Sequence, residues 1–152
     1  MAPPRWLTPD ELTAWRAYLF AGLLLDEALD RQLQRDAGMP HTYYWILVTL
    51  ADAPDRTLRM SDLARRLRFS QSRLTHAVTS MERRGWIRRE RCPSDGRGFL
   101  AVLTPEGVRV LEESAPGHVE EVRARVFDRL TPGQVDQLRE ICQVILDGLD
   151  PL

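Results

Sequence analysis

The sequence predicts a mainly α-helical protein with a small β-hairpin, and three features support this fold class. Thr-Pro pairs, which are typical of helix starts, open three segments at Thr8, Thr104 and Thr131. Apolar residues recur at helical spacing through most of the chain. One pair of β-prone runs, 86–91 and 99–103, is joined by turn-forming sequence. The 152 residues, 43% of them hydrophobic, suit one domain or a compact core with helical extensions.

Both ends of the chain are predicted to be long amphipathic helices. The first runs from residue 9 to about 37, where Gly38 and Pro40 end it. Its apolar stripe contains Trp15, Leu19, Leu25, Leu29 and Leu33. The last helix runs from residue 132 to about 148 and is also apolar on one side. Because such apolar faces need a partner, we expect the two ends to form a dimerisation element.

The middle of the chain is predicted to contain shorter helices and strands. The expected bounds are 42–53 for a helix, 58–60 for a short strand, and 62–68 and 71–84 for two further helices. Ser61 and Ser70 are expected to cap the last two, and Gly85 to end the second. Two short helices that meet at a tight turn, followed by a hairpin, predict a winged helix-turn-helix with the hairpin as its wing.

A long helix is expected after the hairpin, from residue 105 to about 130. Pro116 and Gly117 lie inside it. Because Pro116 cannot donate a backbone hydrogen bond, we expect a kink or a split there.

The charge of the chain is unevenly distributed. The net charge is −1, but the segment 56–97 contains twelve arginines and four acidic residues, a local charge of +8. Salt screens exposed charges beyond about 10 Å, so a polyanion would respond to this segment rather than to the net charge. The pattern favours a nucleic-acid partner, with a solvated arginine-rich face as the alternative.

Several other classes of protein are not expected. The chain has no apolar run long enough to span a membrane and no apolar signal segment. Two cysteines, Cys92 and Cys142, suit a reducing compartment, so we expect a cytoplasmic protein. A phosphate-binding Gly-rich loop and a nucleophile elbow are absent, so we expect no enzyme activity. His41, His76 and His118 lack metal-ligand spacing, so we expect no metal and no cofactor.

The order of several motifs resembles the MarR family of bacterial transcription regulators, over nearly the whole chain. The most specific is Asp95-Gly96-Arg97 followed by Leu103-Thr104, which is similar to the family's wing pattern. Also similar are Leu63-Ala64, Ser72-Arg73-Leu74-Thr75, Glu82-Arg83-Arg84-Gly85-Trp86-Ile87, and the positions of Tyr44, Leu47 and Leu50. The resemblance implies a homodimeric regulator, usually a repressor, that binds a pseudo-palindromic operator. The chain then divides into an N-terminal dimerisation helix (1–38), a DNA-binding lobe (39–104) and C-terminal dimerisation helices (105–152).

The helix 71–84 is the predicted recognition helix. Leu74, Val78 and Met81 share one face and are expected to pack inward. The candidate DNA-contacting residues are Gln71, Ser72, Arg73, Thr75, His76 and Thr79. By donor and acceptor geometry, Arg73 suits guanine, Gln71 suits adenine and Thr75 suits a thymine methyl group. His76 departs from the family pattern, which usually has a basic residue at this position.

The predicted wing supplies the remaining DNA contacts. Arg97 at its tip is placed to enter a minor groove, which favours a guanidinium group. The resemblance implies that Asp95 orients an arginine. Many relatives have a second basic residue at the position of Gly96, so this chain differs from them there. The candidate phosphate contacts are Arg59, Arg65, Arg88, Arg89 and Arg91.

The resemblance also implies a small-molecule effector crevice between the dimerisation helices and the DNA-binding lobe. Its candidate residues are Trp15, Tyr18, His41, Tyr43 and Tyr44, with plain core as the alternative. A redox role for Cys92, beside Arg91, competes with a structural role, which we favour. Cys142 is expected to be buried. The competing function is a winged-helix module that binds a protein partner instead of DNA.

Overall fold

A long helix lies at each end of the fold, and a small sheet lies in its middle. A computed structural model describes residues 3–93 and 95–149, with only the backbone described for 95–97. In chain order the elements are α1 (Pro9–Ala37), α2 (His41–Ala51), β1 (Thr57–Arg59), α3 (Met60–Leu67), α4 (Gln71–Arg83), β2 (Ile87–Cys92), β3 (Asp95–Leu103), α5 (Pro105–Arg125) and α6 (Pro132–Gly148). The mainly helical fold class with a small wing is therefore confirmed.

Local capping chemistry determines where the terminal helices begin. The Thr8 hydroxyl accepts a hydrogen bond from the Glu11 N–H at 3.2 Å, and the Glu11 carboxylate accepts one from the Thr8 N–H at 2.7 Å. Thr131 and Gln134 make the same reciprocal pair at the start of α6. Gly38 ends α1 in the left-handed conformation, with φ of 60°. Both helices have the predicted bounds.

The other helices differ from the prediction in their bounds, and α2 spans His41–Ala51 where 42–53 was expected. α3 begins at Met60 and has Arg59, not Ser61, at its N-cap position, because β1 leads directly into it. α5 is not split at Pro116, but it ends at Arg125 and not near residue 130 as predicted. The lost donor at Pro116 is tolerated because the residues around it pack against α1, with Ser114 and His118 both buried.

The short strand predicted at 58–60 is β1, and it joins the hairpin in one sheet. In the described part of the chain its strand order is β1-β3-β2, with both pairs antiparallel. Arg59 of β1 pairs with Leu100, while Arg91 of β2 pairs with Phe99. β3 begins at Asp95, so much of the stretch that was predicted as a turn between the two β-prone runs is strand. β1 thus joins the start of α3 to the base of the wing.

The core lies between the C-terminal half of α1, helices α2 to α4 and the sheet. The inward face of α4 was predicted correctly, because Leu74, Val78 and Met81 are fully buried. Other large side chains that are completely enclosed are Leu33, Met39, Ile46, Leu47, Leu50 and Leu63. This shared core holds α4 beside α2 and leaves the other face of α4 exposed.

The N-terminal half of α1 and most of α6 lie outside this core. Their exposed apolar side chains include Trp15, Leu19, Leu23 and Leu24 on α1, and Leu138, Ile141, Val144 and Ile145 on α6. A single chain therefore presents two unusually apolar helix surfaces. Among the described residues, no helix combines the length and apolar character that crossing a membrane requires.

Candidate nucleic-acid interface

The start of α4 is held in place by the tight turn after α3. Arg68 ends α3 in the left-handed conformation, with φ of 56°, and turns the chain towards α4. The Ser70 hydroxyl then accepts a hydrogen bond from the Arg73 N–H at 3.2 Å, as the predicted cap requires. α4 therefore begins at Gln71 with one face buried and the opposite face exposed. Of the predicted DNA-contacting residues, Gln71, Ser72, Arg73, Thr75 and His76 are exposed, and Thr79 is half-buried.

Arg73 does not extend freely into solvent. Its guanidinium carbon lies 4.2 Å from the centre of the Phe69 ring. The same group donates a hydrogen bond from Nη2 to the Thr42 hydroxyl at 3.1 Å. The side chain is therefore ordered beside the N-terminus of α2, at the edge of the exposed face of α4.

A groove of about 410 Å³ separates the start of α4 from the sheet. Its lining contains two predicted base-reading residues and two predicted phosphate contacts, and consists of Arg59, Met60, Ser61, Gln71, Thr75, Arg89, Gly98 and Phe99. Residues from five different elements therefore converge on one concave, basic surface. The fold brings Gln71 and Thr75 together with Arg59 and Arg89.

Arg89 also fastens the wing to the recognition helix. The Glu82 carboxylate accepts hydrogen bonds from the Arg89 N–H at 3.1 Å, from Nε at 3.0 Å and from Nη2 at 2.8 Å. The hydrogen bonds and charge of Arg89 lower the pKa of Glu82 below its usual range. The pair orients β2 relative to α4, so Arg89 has a positioning role beside its predicted phosphate contact.

The other predicted phosphate contacts are distributed over α3 and β2. Arg65 pairs with Asp62 at 2.8 Å, and Arg88 pairs with Glu90 at 2.6 Å. These pairs are largely exposed, so a polyanion can compete for either arginine. Arg91 is exposed on the outer half of β2. The side chains of Asp95 and Arg97 lie outside the described residues, so the predictions for the wing tip stay predictions.

The base of the wing is packed tightly against the start of α5. The Thr104 hydroxyl lies 2.6 Å from the Gly85 carbonyl oxygen and accepts a hydrogen bond from the Gly107 N–H at 3.0 Å. A β-carbon at Gly107 would lie 2.2 Å from the Trp86 carbonyl oxygen. Only glycine therefore fits at position 107, where α5 packs against the backbone that follows α4.

The predicted effector residues are not all in one place. His41 and Tyr44 are buried and face His118 of α5, with ring centres 5.3 Å and 4.2 Å from it. Trp15 and Tyr18 stack on each other at 6.0 Å on the exposed half of α1. Tyr43 lies beside an arginine at the end of α4 instead.

The buried histidine pair was not predicted from the sequence. The His41 Nδ1 lies 2.9 Å from the Asp26 carboxylate, and the His118 Nδ1 lies 3.2 Å from the Gln32 side-chain oxygen. Among the described residues, the His41 Nε2 is buried without a hydrogen-bond partner. Burial, followed by the charge of His41, lowers the pKa of His118. No local signal could have revealed this contact, because the two histidines lie on different helices, far apart in the sequence.

The two cysteines occupy different environments. Cys92 is buried at the end of β2, which agrees with the favoured structural role. Cys142 is only half-buried in the single chain, so its expected burial is not observed there. It belongs to the apolar side of α6, which lacks a partner within one chain.

The sequence matches the profile of the MarR family over residues 37–98. Among curated relatives, the transcriptional repressor MprA of Escherichia coli K12 is 28% identical over 115 residues. That match covers 76% of this chain and 65% of MprA, so the chain spans slightly less than two thirds of this relative.

Two solved structures from Streptomyces coelicolor are closely similar. Sco3205, a MarR family transcriptional regulator crystallised in complex with DNA, is 56% identical with a TM-score of 0.95, covering 98% of this chain and 93% of that one. AbsC, another MarR family regulator, is 40% identical with a TM-score of 0.90, covering 95% and 97%. Likeness at this identity and coverage extends through the terminal helices as well as the DNA-binding lobe.

Proposed function

The chain belongs to the MarR family of transcription regulators, and we propose that it acts in the cytoplasm as a homodimeric repressor that binds a pseudo-palindromic DNA operator. The observation that carries this proposal is the groove between α4 and the sheet. There Gln71 and Thr75 on the recognition helix share one surface with Arg59 and Arg89. Groups suited to base edges and groups suited to phosphates thus face the same partner.

Two further observations support double-stranded DNA as that partner. The segment 56–97 carries a charge of +8 in a chain of net charge −1. Sco3205, which shares the fold at 56% identity, has been crystallised with DNA. In the proposed complex, α4 enters a major groove, while the wing with Arg97 reaches the adjacent minor groove.

The homodimer is supported by the apolar surfaces of the terminal helices. Ile141 and Val144 of α6 are 59% and 73% exposed in the single chain, and Leu23 of α1 is 65% exposed. Covering such surfaces with a second copy removes apolar area from water and gives a symmetric assembly with two recognition helices. We propose that 1–38 and 105–152 form this dimerisation region, and that 39–104 forms the DNA-binding lobe.

We also propose that a small-molecule effector acts at the boundary between these regions. The support is the aromatic surroundings of the buried His41 Nε2, which lacks a partner among the described residues. Release of operator DNA by a panel of aromatic carboxylates, compared between the native protein and His41→Ala, tests this part separately.

Selection of bound sequences from random DNA, followed by affinity measurements at several salt concentrations, tests the main proposal. A palindromic consensus should emerge, bound by one dimer. The local charge of +8 per subunit suggests roughly six to ten phosphate contacts per dimer, which predict a slope of log affinity against log salt on the order of −5 to −9. A protein that enriches no DNA sequence and shows a slope near zero would favour the alternative of a protein-binding module.

A further inference from the structure

Arg84, at the C-terminal end of the recognition helix, connects three separate parts of the fold. Its Nη1 donates a hydrogen bond to the Gly38 carbonyl oxygen at 2.9 Å. Its guanidinium carbon lies 4.8 Å from the centre of the Trp86 ring and 5.7 Å from that of Tyr43. One planar cation thus contacts the end of α1, the start of α2 and the beginning of the wing.

The contact with Gly38 is electrostatically favourable. Gly38 is the C-cap residue of α1, where the last carbonyl groups of a 29-residue helix carry partial negative charge. Arg84 is itself the C-cap residue of α4. Its positive charge therefore stabilises the end of α1 while holding the end of α4 at a defined distance from it.

The Arg84 contacts fix the orientation of α4 in a way that packing of the core does not. The inward face of α4, with Leu74, Val78 and Met81, is held by apolar packing, which is nondirectional. A hydrogen bond and two ring contacts on one rigid guanidinium instead define the angle and axial position of the helix end. The exposed apolar surface of α1 lies in its N-terminal half, so the body of α1 connects the Arg84 contact at its C-terminal end to the proposed dimerisation region.

We infer that Arg84 is a positioning residue that sets the distance between the two recognition helices of the dimer, and hence the half-site spacing that the protein accepts. This inference rests on the proposed function, since spacing has meaning only for a dimer on an operator. Adding one base pair moves a half-site by about 3.4 Å and rotates it by about 35°. A recognition helix held at both α1 and the wing should tolerate such a change poorly.

The test uses the full-length dimer and the operator selected with it. Affinities are measured for that operator and for versions with one base pair inserted or removed at its centre. In Arg84→Ala, the ratio of affinities between the best and the altered spacing should fall about 3- to 10-fold relative to the native protein. The slope of log affinity against log salt concentration should not change, and sedimentation should still show a dimer.

Two further variants make the outcome specific. Arg84→Lys keeps a cationic donor for the Gly38 carbonyl but loses the planar ring contacts, so it should restore part of the spacing preference. It also carries the test if the alanine variant does not fold. Arg83→Ala removes the same charge from an exposed neighbour and should leave the spacing ratio intact.

The inference would be overturned by either of two results. An unchanged spacing ratio in Arg84→Ala would show that core packing alone positions α4. A uniform loss of affinity with a shallower salt slope would show that Arg84 contacts a phosphate. Failure of the native protein to select an operator would instead contradict the proposed function, so the two failures are distinguishable.

Discussion

Arg73 of the recognition helix donates a hydrogen bond to the Thr42 hydroxyl of α2 at 3.1 Å. Its guanidinium group also covers the Phe69 ring. These contacts reduce the number of conformations open to a long side chain before any partner arrives. Arg73 is thus ordered at the edge of the surface where base contacts are predicted.

The first prediction separates base reading by Arg73 from this local ordering. Arg73→Ala should weaken the binding free energy for operator DNA by about 1–3 kcal/mol per half-site. It should also relax the base preference at one or two operator positions. Thr42→Val removes only the hydroxyl partner of Arg73, so it should weaken the binding free energy for operator DNA by less than about 1.5 kcal/mol. The base preference should stay intact. Affinities for a panel of single-base operator variants at fixed salt provide the measurement.

Arg97→Ala is the comparison for the wing. It should weaken binding to many sequences together, with any preference limited to A·T-rich flanks. Unchanged base preference in Arg73→Ala would remove that residue from the predicted set, and unchanged affinity in Arg97→Ala would contradict the role assigned to the wing.

A second prediction concerns the dimer interface. Ile141 is 59% exposed in the single chain, so Ile141→Asp should affect the monomer's own packing little. In the proposed dimer the new carboxylate would be buried, and the dissociation constant should rise about 10-fold or more. Sedimentation at micromolar concentration measures this change. Gln143→Asp adds the same charge on the polar side of α6, and equal dissociation by both variants would argue against the proposed face.

The third prediction concerns the junction between the wing and α5. At Gly107 a β-carbon would meet the Trp86 carbonyl oxygen at 2.2 Å and the Leu103 side chain at 2.6 Å. Gly107→Ala should therefore lower the free energy of unfolding by about 1–3 kcal/mol.

A matched control lies on the same helix. At Gly117 the nearest atom would be 3.5 Å away, so alanine fits. Gly117→Ala should raise the free energy of unfolding by up to about 1 kcal/mol, because alanine is the better helix former. Denaturant titration of both variants checks the pair, and equal effects would show that the close contact at Gly107 is relaxed in solution.

Features of the fold that depend on residues close together in sequence were predicted correctly, whereas features that depend on distant segments were not. Thr8 with Glu11, and Thr131 with Gln134, make caps within one turn, so the starts of α1 and α6 were predicted correctly. Ser61 was wrongly predicted as a cap because strand pairing by β1 makes the helix begin earlier.

The candidate site shows the same dependence. Periodicity predicted the exposed face of α4, because its opposite face must be buried. The contacts of Arg84 with Gly38 and of His41 with His118 join segments far apart in sequence, and they arise only once the helices pack. Residue type alone could not separate Arg84 from Arg83 beside it, and both arginines are exposed.

The last prediction concerns the pH dependence of stability. His118 is buried between His41, Tyr44 and Gln32, and Asp26 contacts the other side of His41. Burial first, and the charge of His41 second, lower its pKa from the ordinary value of 6.5. Below pH 6.5 the unfolded chain therefore binds a proton that the folded chain does not yet accept. The free energy of unfolding should fall as the pH drops from 6.5 towards the lower pKa of the folded state, and this contribution should be absent above neutrality.

Urea titrations of the native protein and of His118→Gln between neutral and mildly acidic pH measure the effect. The variant should lose part of the slope, whereas His76→Gln, which changes an exposed histidine, should retain it. Identical slopes in the native protein and His118→Gln would show that protonation of the buried pair does not oppose folding.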